Sequence, residues 1–394
     1  SEWARGHWFT GFPWNLPAYN WSFSLSILQV LALIGPYFLT LLTLLLYGFA
    51  TLCLFEVHKK AALIASLFMA TLFACFQISG MVRLHTSPTE FTRAAVRVIQ
   101  PNIPQAEKWD ASTYDAQIVK MADLLAEETD FSKNETPDSL LTILPETAMN
   151  EEMVASPIGA ESLTKAFKVI DKRPYPNFVY TGYLRSDIVP EGDDFKRVYF
   201  NSSLLLDSQR DIVAVFNKFH LVPFGEYMPL DEYLPISQFV KFSGFQAGSG
   251  LETLISPPLL PFGPLICYEV LFPGHVILPE KIGPRPEVLI NITNDAWYGD
   301  APGPYQHMLM ARYRAIEEGV PVIRSANTGI SLISDSYGRI LAQEKLGNTA
   351  MIEGYIPKPY KGRTLYSQFG EFAYFLFLFI SLATVLWCAF RKRG

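Results

Sequence analysis

The sequence predicts a layered α/β domain held to a membrane by apolar helices. Two observations predict it. Long charge-free runs lie near both ends of the chain, and the middle is a series of short apolar runs alternating with amphipathic ones. A third observation, a single cysteine within that middle segment, marks where chemistry is to be sought.

The membrane elements come first. Between Arg5 and Glu56 there is no Asp, Glu, Lys or Arg. A spanning helix needs about 20 such residues, and one is expected near 25–54, with Pro36 as a kink point. Trp8, Phe9, Phe12, Trp14, Tyr19 and Trp21 precede it as an interfacial aromatic belt. Further spans are expected near 61–81 and 372–390. The composition agrees: 49% of the 394 residues are hydrophobic, yet 18% are charged. Membrane spans plus a globular domain account for that mixture. A net charge of -6, with no basic stripe, argues against nucleic acid as a partner.

Basic residues set the orientation. His58, Lys59 and Lys60 lie between the first two spans, and Arg391, Lys392 and Arg393 follow the third. Both clusters are expected in the cytoplasm, which leaves Arg83 to Gln368 on the other side. The expected division is a transmembrane region over 1–91, an extracytoplasmic catalytic domain over 92–358, and a linker with a C-terminal helix over 359–394.

Within the middle segment, strands are expected at 96–99, 140–144, 178–182, 198–206, 212–216, 265–267, 288–292, 320–324, 330–334 and 338–342. Helices are expected at 114–127 and 307–318. Asp207 to Asp211 reads as a hairpin turn, and 191–194 as a solvated loop. About 260 residues in this alternation suit one domain.

Three reactive residue types fall at the ends of separate strands: Glu146, Lys218 and Cys267. Loops at strand ends can converge on one crevice. A thiol with an ordinary pKa of about 8.5 needs a base or a nearby cation to act as a nucleophile. A carboxylate can take its proton, and an ammonium can stabilise a thiolate or an oxyanion. On residue type alone the trio is weak, because a lone cysteine is commonly an inert buried one. Cys53, Cys75 and Cys388 fall in the expected spans, so Cys267 has no disulfide partner within reach. No His/Cys/carboxylate spacing suggests a metal, and Gly248-Ser249-Gly250 lacks the context of a phosphate loop.

The flanking residues add a resemblance. Ile143-Leu144-Pro145-Glu146-Thr147-Ala148, Lys218-Phe219-His220-Leu221-Val222-Pro223-Phe224-Gly225-Glu226 and Ile266-Cys267-Tyr268-Glu269 resemble the nitrilase superfamily, in which a Glu-Lys-Cys triad performs thiol-based acyl transfer. More narrowly, the chain resembles the apolipoprotein N-acyltransferase family. The pieces are Thr10-Gly11-Phe12-Pro13-Trp14, Gln100 to Gln105 followed by Lys108-Trp109, Asn201-Ser202, Pro223 to Pro229, and Asn294 to Gly299. Members of that family usually carry several more spans before the first of these blocks, so the chain is expected to be part of a longer protein.

The resemblance implies a nitrilase-like αββα sandwich, with Glu146 as general base, Lys218 as stabiliser and Cys267 as nucleophile. It implies Glu226 as a support for Lys218, the backbone N–H of Tyr268 as an oxyanion donor, Glu269 beside it, and Trp109 and Asn201 near substrate. The alternative readings are a solvated loop carboxylate for Glu226 and a core aromatic for Trp109. His220 is expected to be structural. The implied reaction moves a fatty acyl group from a phospholipid, by family analogy phosphatidylethanolamine, to the N-terminal cysteine amine of a diacylglyceryl apolipoprotein at the bacterial inner membrane, without cofactor. A membrane-tethered amidase and a catalytically dead scaffold are the rivals.

One segment is unusually apolar for a loop. Leu230, Tyr233, Leu234, Ile236, Phe239, Val240, Phe242 and Phe245 follow Pro229. It reads either as a core helix or as a lid over the acyl chain, with Phe239 and Phe242 touching substrate. The orientation is directly testable. A cysteine placed at Asp193 should react with an impermeant thiol reagent added outside the cell membrane, and labelling from the cytoplasmic side alone would invert the assignment.

Overall fold

The computed structural model describes residues 1–55, 59–128, 131, 136–191, 194–229 and 244–391. Twelve strands form two sheets. The first contains β1 (Phe91–Gln100), β2 (Ser139–Ile143), β3 (Met149–Asn150), β4 (Asn177–Glu191), β5 (Asp194–Leu206), β6 (Ile212–Asn217) and β12 (Ala350–Pro357). Its order is β12-β1-β2-β4-β5-β6, with β3 paired to β4. The second contains β7 (Phe262–Ile266), β8 (Val288–Thr293), β9 (Val322–Ala326), β10 (Leu332–Ser334) and β11 (Ile340–Gln343), in the order β11-β10-β9-β8-β7. β1-β2-β4 and β7-β8-β9 pair in parallel, and the flanking pairs are antiparallel.

The sheets pack face to face, because parallel strands must be covered on both faces. Val96, Val98, Leu141, Ile143 and Tyr180 from the first sheet meet Phe262, Ile266, Ile290, Ile292 and Ile323 from the second in one buried cluster. The outer face of the first sheet is covered by the helices Tyr114–Ala126 and Pro157–Ile170, through Ile118, Met121, Leu125, Ala166 and Ile170. The helix Gly303–Glu318 covers the second through Met310, Ala311, Ala315 and Ile316. The result is an αββα sandwich.

Among the described residues three helices are long and apolar enough to cross a membrane: Leu31–Leu52, Lys59–Thr86 and Phe372–Arg391. The first is shorter than the expected 25–54. A separate turn, Leu25–Leu28, precedes it, and Gly35 breaks it with φ +71° immediately before Pro36. Two causes combine there. A proline donates no backbone hydrogen bond, and glycine alone enters the left-handed region without strain. The second helix runs past 61–81 at both ends. Arg83, near its C-terminus, donates to the Gln29 carbonyl (3.1 Å) and lies over the Tyr337 and Tyr360 rings.

The membrane segment and the sandwich share one core. Leu16, Tyr19, Leu28, Leu31, Tyr37, Leu39 and Phe73 cluster with Leu265, Tyr268, Leu271, Phe272, Met310 and Tyr313. The strand that leads to Cys267 therefore packs through its following turn against the apolar helices. Elsewhere the expected hairpin β5–β6 forms, with its turn at Asp207 to Asp211. Of the loop expected at 191–194, Glu191 and Asp194 belong to strands, since β4 and β5 pair from Val179–Leu206 out to Glu191–Asp194, and 192–193 lie outside the described residues. β9, β10 and β11 each begin two residues later than expected.

Gly35 also sets the docking of the C-terminal segment. A Cβ there would stand 2.1 Å from the Tyr366 ring. Gly35→Ala is predicted to cost about 2–4 kcal/mol through clash and left-handed strain. It should show as a lowered thermal midpoint in detergent, and an unchanged midpoint would mean that Tyr366 does not pack there.

Candidate active site

The sandwich brings the ends of strands from both sheets to one place. Glu146 stands three residues beyond β2, Asn201 lies on β5, and Lys218 directly follows β6. Cys267 directly follows β7 in the second sheet, and Asn294 follows β8. The register explains the convergence. Leu184 on β4 pairs with Asn201 on β5, Ser202 pairs with Asn217 on β6, and the Lys218 N–H then donates to the Asn201 carbonyl (2.9 Å).

Lys218 is 1% exposed. Its Nζ donates to Glu226 Oε1 (2.8 Å) and lies 3.8 Å from Glu146 Oε1. Burial works against the ammonium, but the carboxylates of Glu226 and Glu146 and the Cys267 sulfur outweigh it, and the lysine is held well above its ordinary pKa. Asn201 links the two carboxylates, its Nδ2 donating to Glu146 Oε1 (2.7 Å) and Glu226 Oε1 (3.1 Å). The second Glu226 oxygen accepts from the Val222 N–H (2.8 Å), so Glu226 is no solvated loop carboxylate. The second Glu146 oxygen accepts from the Asn294 N–H (2.7 Å). Glu146 thus spans the two sheets. Its loop lies against Gly182 on β4, where a Cβ would meet the Pro145 carbonyl at 2.3 Å and the Thr147 nitrogen at 2.4 Å.

Cys267 sits at a sharp bend with φ +52°, between β7 and the 3-10 turn Cys267–Leu271. A residue with a Cβ in the left-handed region is strained by about 1–3 kcal/mol and persists only where its surroundings hold it. Thr147, Phe224 and Asn102, each beside a quoted motif residue, share that conformation. Burial and the Glu146 carboxylate push the thiol pKa up, while Lys218 and the Thr293 hydroxyl pull it down. The resting group is a neutral thiol next to a carboxylate. A thiolate is disfavoured beside that carboxylate, so the thiol proton has an acceptor at hand when it leaves the sulfur.

Two buried groups brace the bend. Glu269 is 1% exposed and accepts from the N–H groups of Phe219 (2.7 Å), His220 (3.1 Å) and Ile266 (2.7 Å). It thereby ties the segment after Lys218 to the end of β7. Burial raises its pKa to about 7, against the pull of these donors and of Lys218. On the other side, His307 Nε2 lies 3.2 Å from the Cys267 carbonyl and its Nδ1 2.8 Å from Asp295 Oδ1. Arg324 donates to Asp295 Oδ2 (2.6 Å) and to Asn291, whose amide donates to the Leu265 carbonyl (3.2 Å). Burial opposes the Asp295 carboxylate, yet Arg324 and His307 lower its pKa to about 2.

The remaining expected residues divide. Tyr268 is buried, and its hydroxyl donates to the Gly11 carbonyl (2.6 Å), which joins the nucleophile turn to the aromatic N-terminal block. Trp109 is 43% exposed at the end of the short helix Gln105–Lys108, so it is not a core aromatic. His220 stacks on Phe272 at 3.8 Å between ring centroids, and its Nε2 reaches the Thr10 carbonyl (2.8 Å), a structural placement. Phe239, Phe242 and the proposed lid lie outside the described residues. Sequence reasoning gave no role to Lys108, Asn294 or the Asp295–His307–Arg324 group. Asn294 and Asp295 stood in a quoted block, but nothing in their spacing told that they were buried.

Asn201 supplies the amide shared by the two carboxylates. Asn201→Asp would put a third carboxylate against Lys218. The added acid, its pKa raised in the fold, would be protonated on folding, so the variant should lose about 2–4 kcal/mol at neutral pH and recover as pH falls toward the carboxylate range. Thermal midpoints near pH 7 and pH 5 test this; a deficit that does not shrink with acid would remove Asn201 from the carboxylate pair.

Comparison with known proteins agrees with the architecture. The carbon-nitrogen hydrolase family model matches residues 94–358, and the model of the apolipoprotein N-acyltransferase N-terminal domain matches residues 1–50. The apolipoprotein N-acyltransferase of Rhodopseudomonas palustris is 34% identical over 406 residues, which spans 100% of this chain and 72% of that protein. That of Rickettsia prowazekii is 36% identical over 378 residues, or 95% of this chain and 72% of that protein. With a carbon-nitrogen hydrolase sandwich packed on apolar helices and relatives similar over nearly its whole length, the chain belongs to the apolipoprotein N-acyltransferase family, a family of membrane acyltransferases.

Proposed function

We propose that this chain transfers a fatty acyl group from a membrane phospholipid, through a thioester on Cys267, to the N-terminal cysteine α-amine of a diacylglyceryl apolipoprotein. The observation that carries the catalytic part is the convergence of Glu146 and Lys218, 3.8 Å apart on the first sheet, on a thiol presented by the second.

In the first half-reaction Glu146 takes the thiol proton. The Cys267 sulfur attacks the ester carbonyl carbon, and the carbonyl electron pair moves onto oxygen beside the Lys218 ammonium. The Tyr268 backbone N–H is the second donor assigned to that oxyanion. The carbon–oxygen ester bond breaks, and Glu146 returns the proton to the departing lysophospholipid oxygen. In the second half-reaction Glu146 removes a proton from the incoming amine, the amide forms, and the thiol is regenerated by the same proton. Glu226 holds Lys218, and Glu269 holds the backbone on either side of the site. Trp109, exposed on the short helix that carries Lys108, is assigned to substrate contact.

The donor assigned here is phosphatidylethanolamine, and the location is the bacterial inner membrane with the sandwich on the periplasmic face. Domain limits of 1–91, 92–358 and 359–394 follow the same division. The positions of Lys59, Lys60 and Arg391 at the ends of apolar helices support that orientation.

The test uses phospholipid with a labelled acyl chain. The wild-type protein should gain a hydroxylamine-labile label on the peptide containing Cys267, and Cys267→Ala should gain none while keeping its thermal midpoint within a few degrees. A labile label persisting on the alanine variant would refute the nucleophile. Hydrolysis of small amides with no acyl label would favour the amidase.

A further inference from the structure

A second buried lysine lies at the site. Lys108 closes the short helix Gln105–Lys108 and is 5% exposed. Its Nζ donates to the backbone carbonyl of Glu146 (2.8 Å), its one hydrogen-bond partner among the described residues. The side chain of its neighbour Glu107 is exposed. The titratable groups that face Lys108 are Glu146 and Cys267, with Lys218 and Glu226 beyond the Glu146 carboxylate.

The two site lysines differ in one respect. Lys218 has Glu226 at 2.8 Å and Glu146 at 3.8 Å, whereas Lys108 has a neutral carbonyl. An ammonium taken from water and given a single neutral acceptor is poorly repaid for its lost hydration, and side chains so placed are retained where their charge is used. Among these four groups, with the thiol neutral, Glu146 and Glu226 balance Lys218 and Lys108; Glu269, also buried beside Lys218, adds a further negative charge when it ionises. Transfer of the thiol proton to Glu146 keeps the sum at zero. So does attack, since the charge passes from sulfur to the carbonyl oxygen. Without Lys108 every one of these states carries an uncompensated negative charge in a buried site.

We propose that Lys108 is a positioning residue of the acyl-transfer site: its buried ammonium fixes the backbone that carries Glu146 and supplies the second positive charge against which the Cys267 thiolate forms. The inference rests on the function proposed above for the identity of the nucleophile. It also gives the site a titratable element. Burial lowers the Lys108 pKa to about 8, with Glu146 and Cys267 pulling it back up, while Lys218 stays charged well beyond that range. Lys108 therefore loses its charge on the mildly alkaline side.

The experiment measures alkylation of Cys267 by iodoacetamide in detergent, read on the Cys267 peptide by mass, between about pH 6 and pH 10. It compares the wild type with Lys108→Met and Lys108→Arg, and rate ratios at each pH cancel the thiol's own titration. At neutral pH, Lys108→Met should react on the order of tenfold more slowly than the wild type, the effect of one charge at short range in a partly screened site. The wild-type advantage over Lys108→Met should shrink toward unity as pH rises through about 8. Lys108→Arg, which stays charged, should keep its advantage to the alkaline end. Superimposable profiles for wild type and Lys108→Met, or a wild-type advantage independent of pH, would overturn the proposal, and a merely structural role would move the thermal midpoint without moving these ratios. Should Lys108→Arg fail to fold, the ratio of wild type to Lys108→Met decides alone. Acylation by labelled phospholipid is followed in parallel. Its absence from every variant would refute the acyl-transfer function, while the alkylation ratios still decide the role of Lys108.

Discussion

The buried Lys218 ammonium, held between Glu226 and Glu146, is the interaction on which the site depends. A lysine 1% exposed is costly unless its charge is answered, and two carboxylates with a shared asparagine donor answer it here. The relation is reciprocal. Two carboxylates drawn toward one asparagine amide would repel each other, and the ammonium makes that arrangement tolerable. Glu146 lies beyond β2, Asn201 within β5, and Lys218 and Glu226 beyond β6, so charge balance and strand register have to agree. Glu146 then extends the constraint to the second sheet through the Asn294 N–H.

Cys267 is held by different means. Its bend has a strained backbone, and fixed hydrogen bonds surround it on two sides. Glu269 joins the β7 end to the segment after Lys218, and the Asp295–His307–Arg324 group stands behind the Cys267 carbonyl. The residues next along the chain, from Tyr268 to Phe272, enter the core formed with the apolar helices. A site whose substrates are lipids is thereby built directly onto the elements that meet the lipid. The Tyr268 hydroxyl on the Gly11 carbonyl and the His220 ring on Thr10 and Phe272 make the same connection in polar and aromatic contacts.

Much of this was legible in the chain. Periodicity placed the hairpin of β5 and β6, the helix over Tyr114–Ala126 and the three apolar helices, because each obeys a local rule of alternation, 3.6-residue spacing or length. The strands β9 to β11 were displaced by two residues because their neighbours are apolar as well and only ladder pairing decides where a strand begins. The first apolar helix was overextended because the run of apolar residues does not reveal the break after Leu28 that sets Leu25–Leu28 apart, nor the positive φ of Gly35 inside the helix. Glu146, Lys218 and Cys267, which the structure brings together, stood out through their flanking residues, not through residue type. What escaped was burial of polar groups. Lys108, Asn294, Asp295, His307 and Arg324 look like surface residues in a one-dimensional reading, since charged side chains usually are. Their burial follows from where two sheets and a helix meet. Glu226 shows the same limit from the other side: residue type alone leaves it a solvated loop carboxylate, and the expectation that it supports Lys218 came from the resemblance, with the contact itself seen only in the structure.

Lys218 and Glu226 form one compensated unit whose charge balance is separable from acyl transfer. A double-mutant cycle tests this, measuring thermal stability in detergent and acyl label on Cys267 for Lys218→Met, Glu226→Gln and the two together. Lys218→Met should lose about 3–5 kcal/mol, because it strands buried carboxylates. Adding Glu226→Gln should return a substantial part of that loss while leaving the acyl label absent. Strictly additive destabilisation, with the double variant weaker than either single one by the sum of both, would contradict the account.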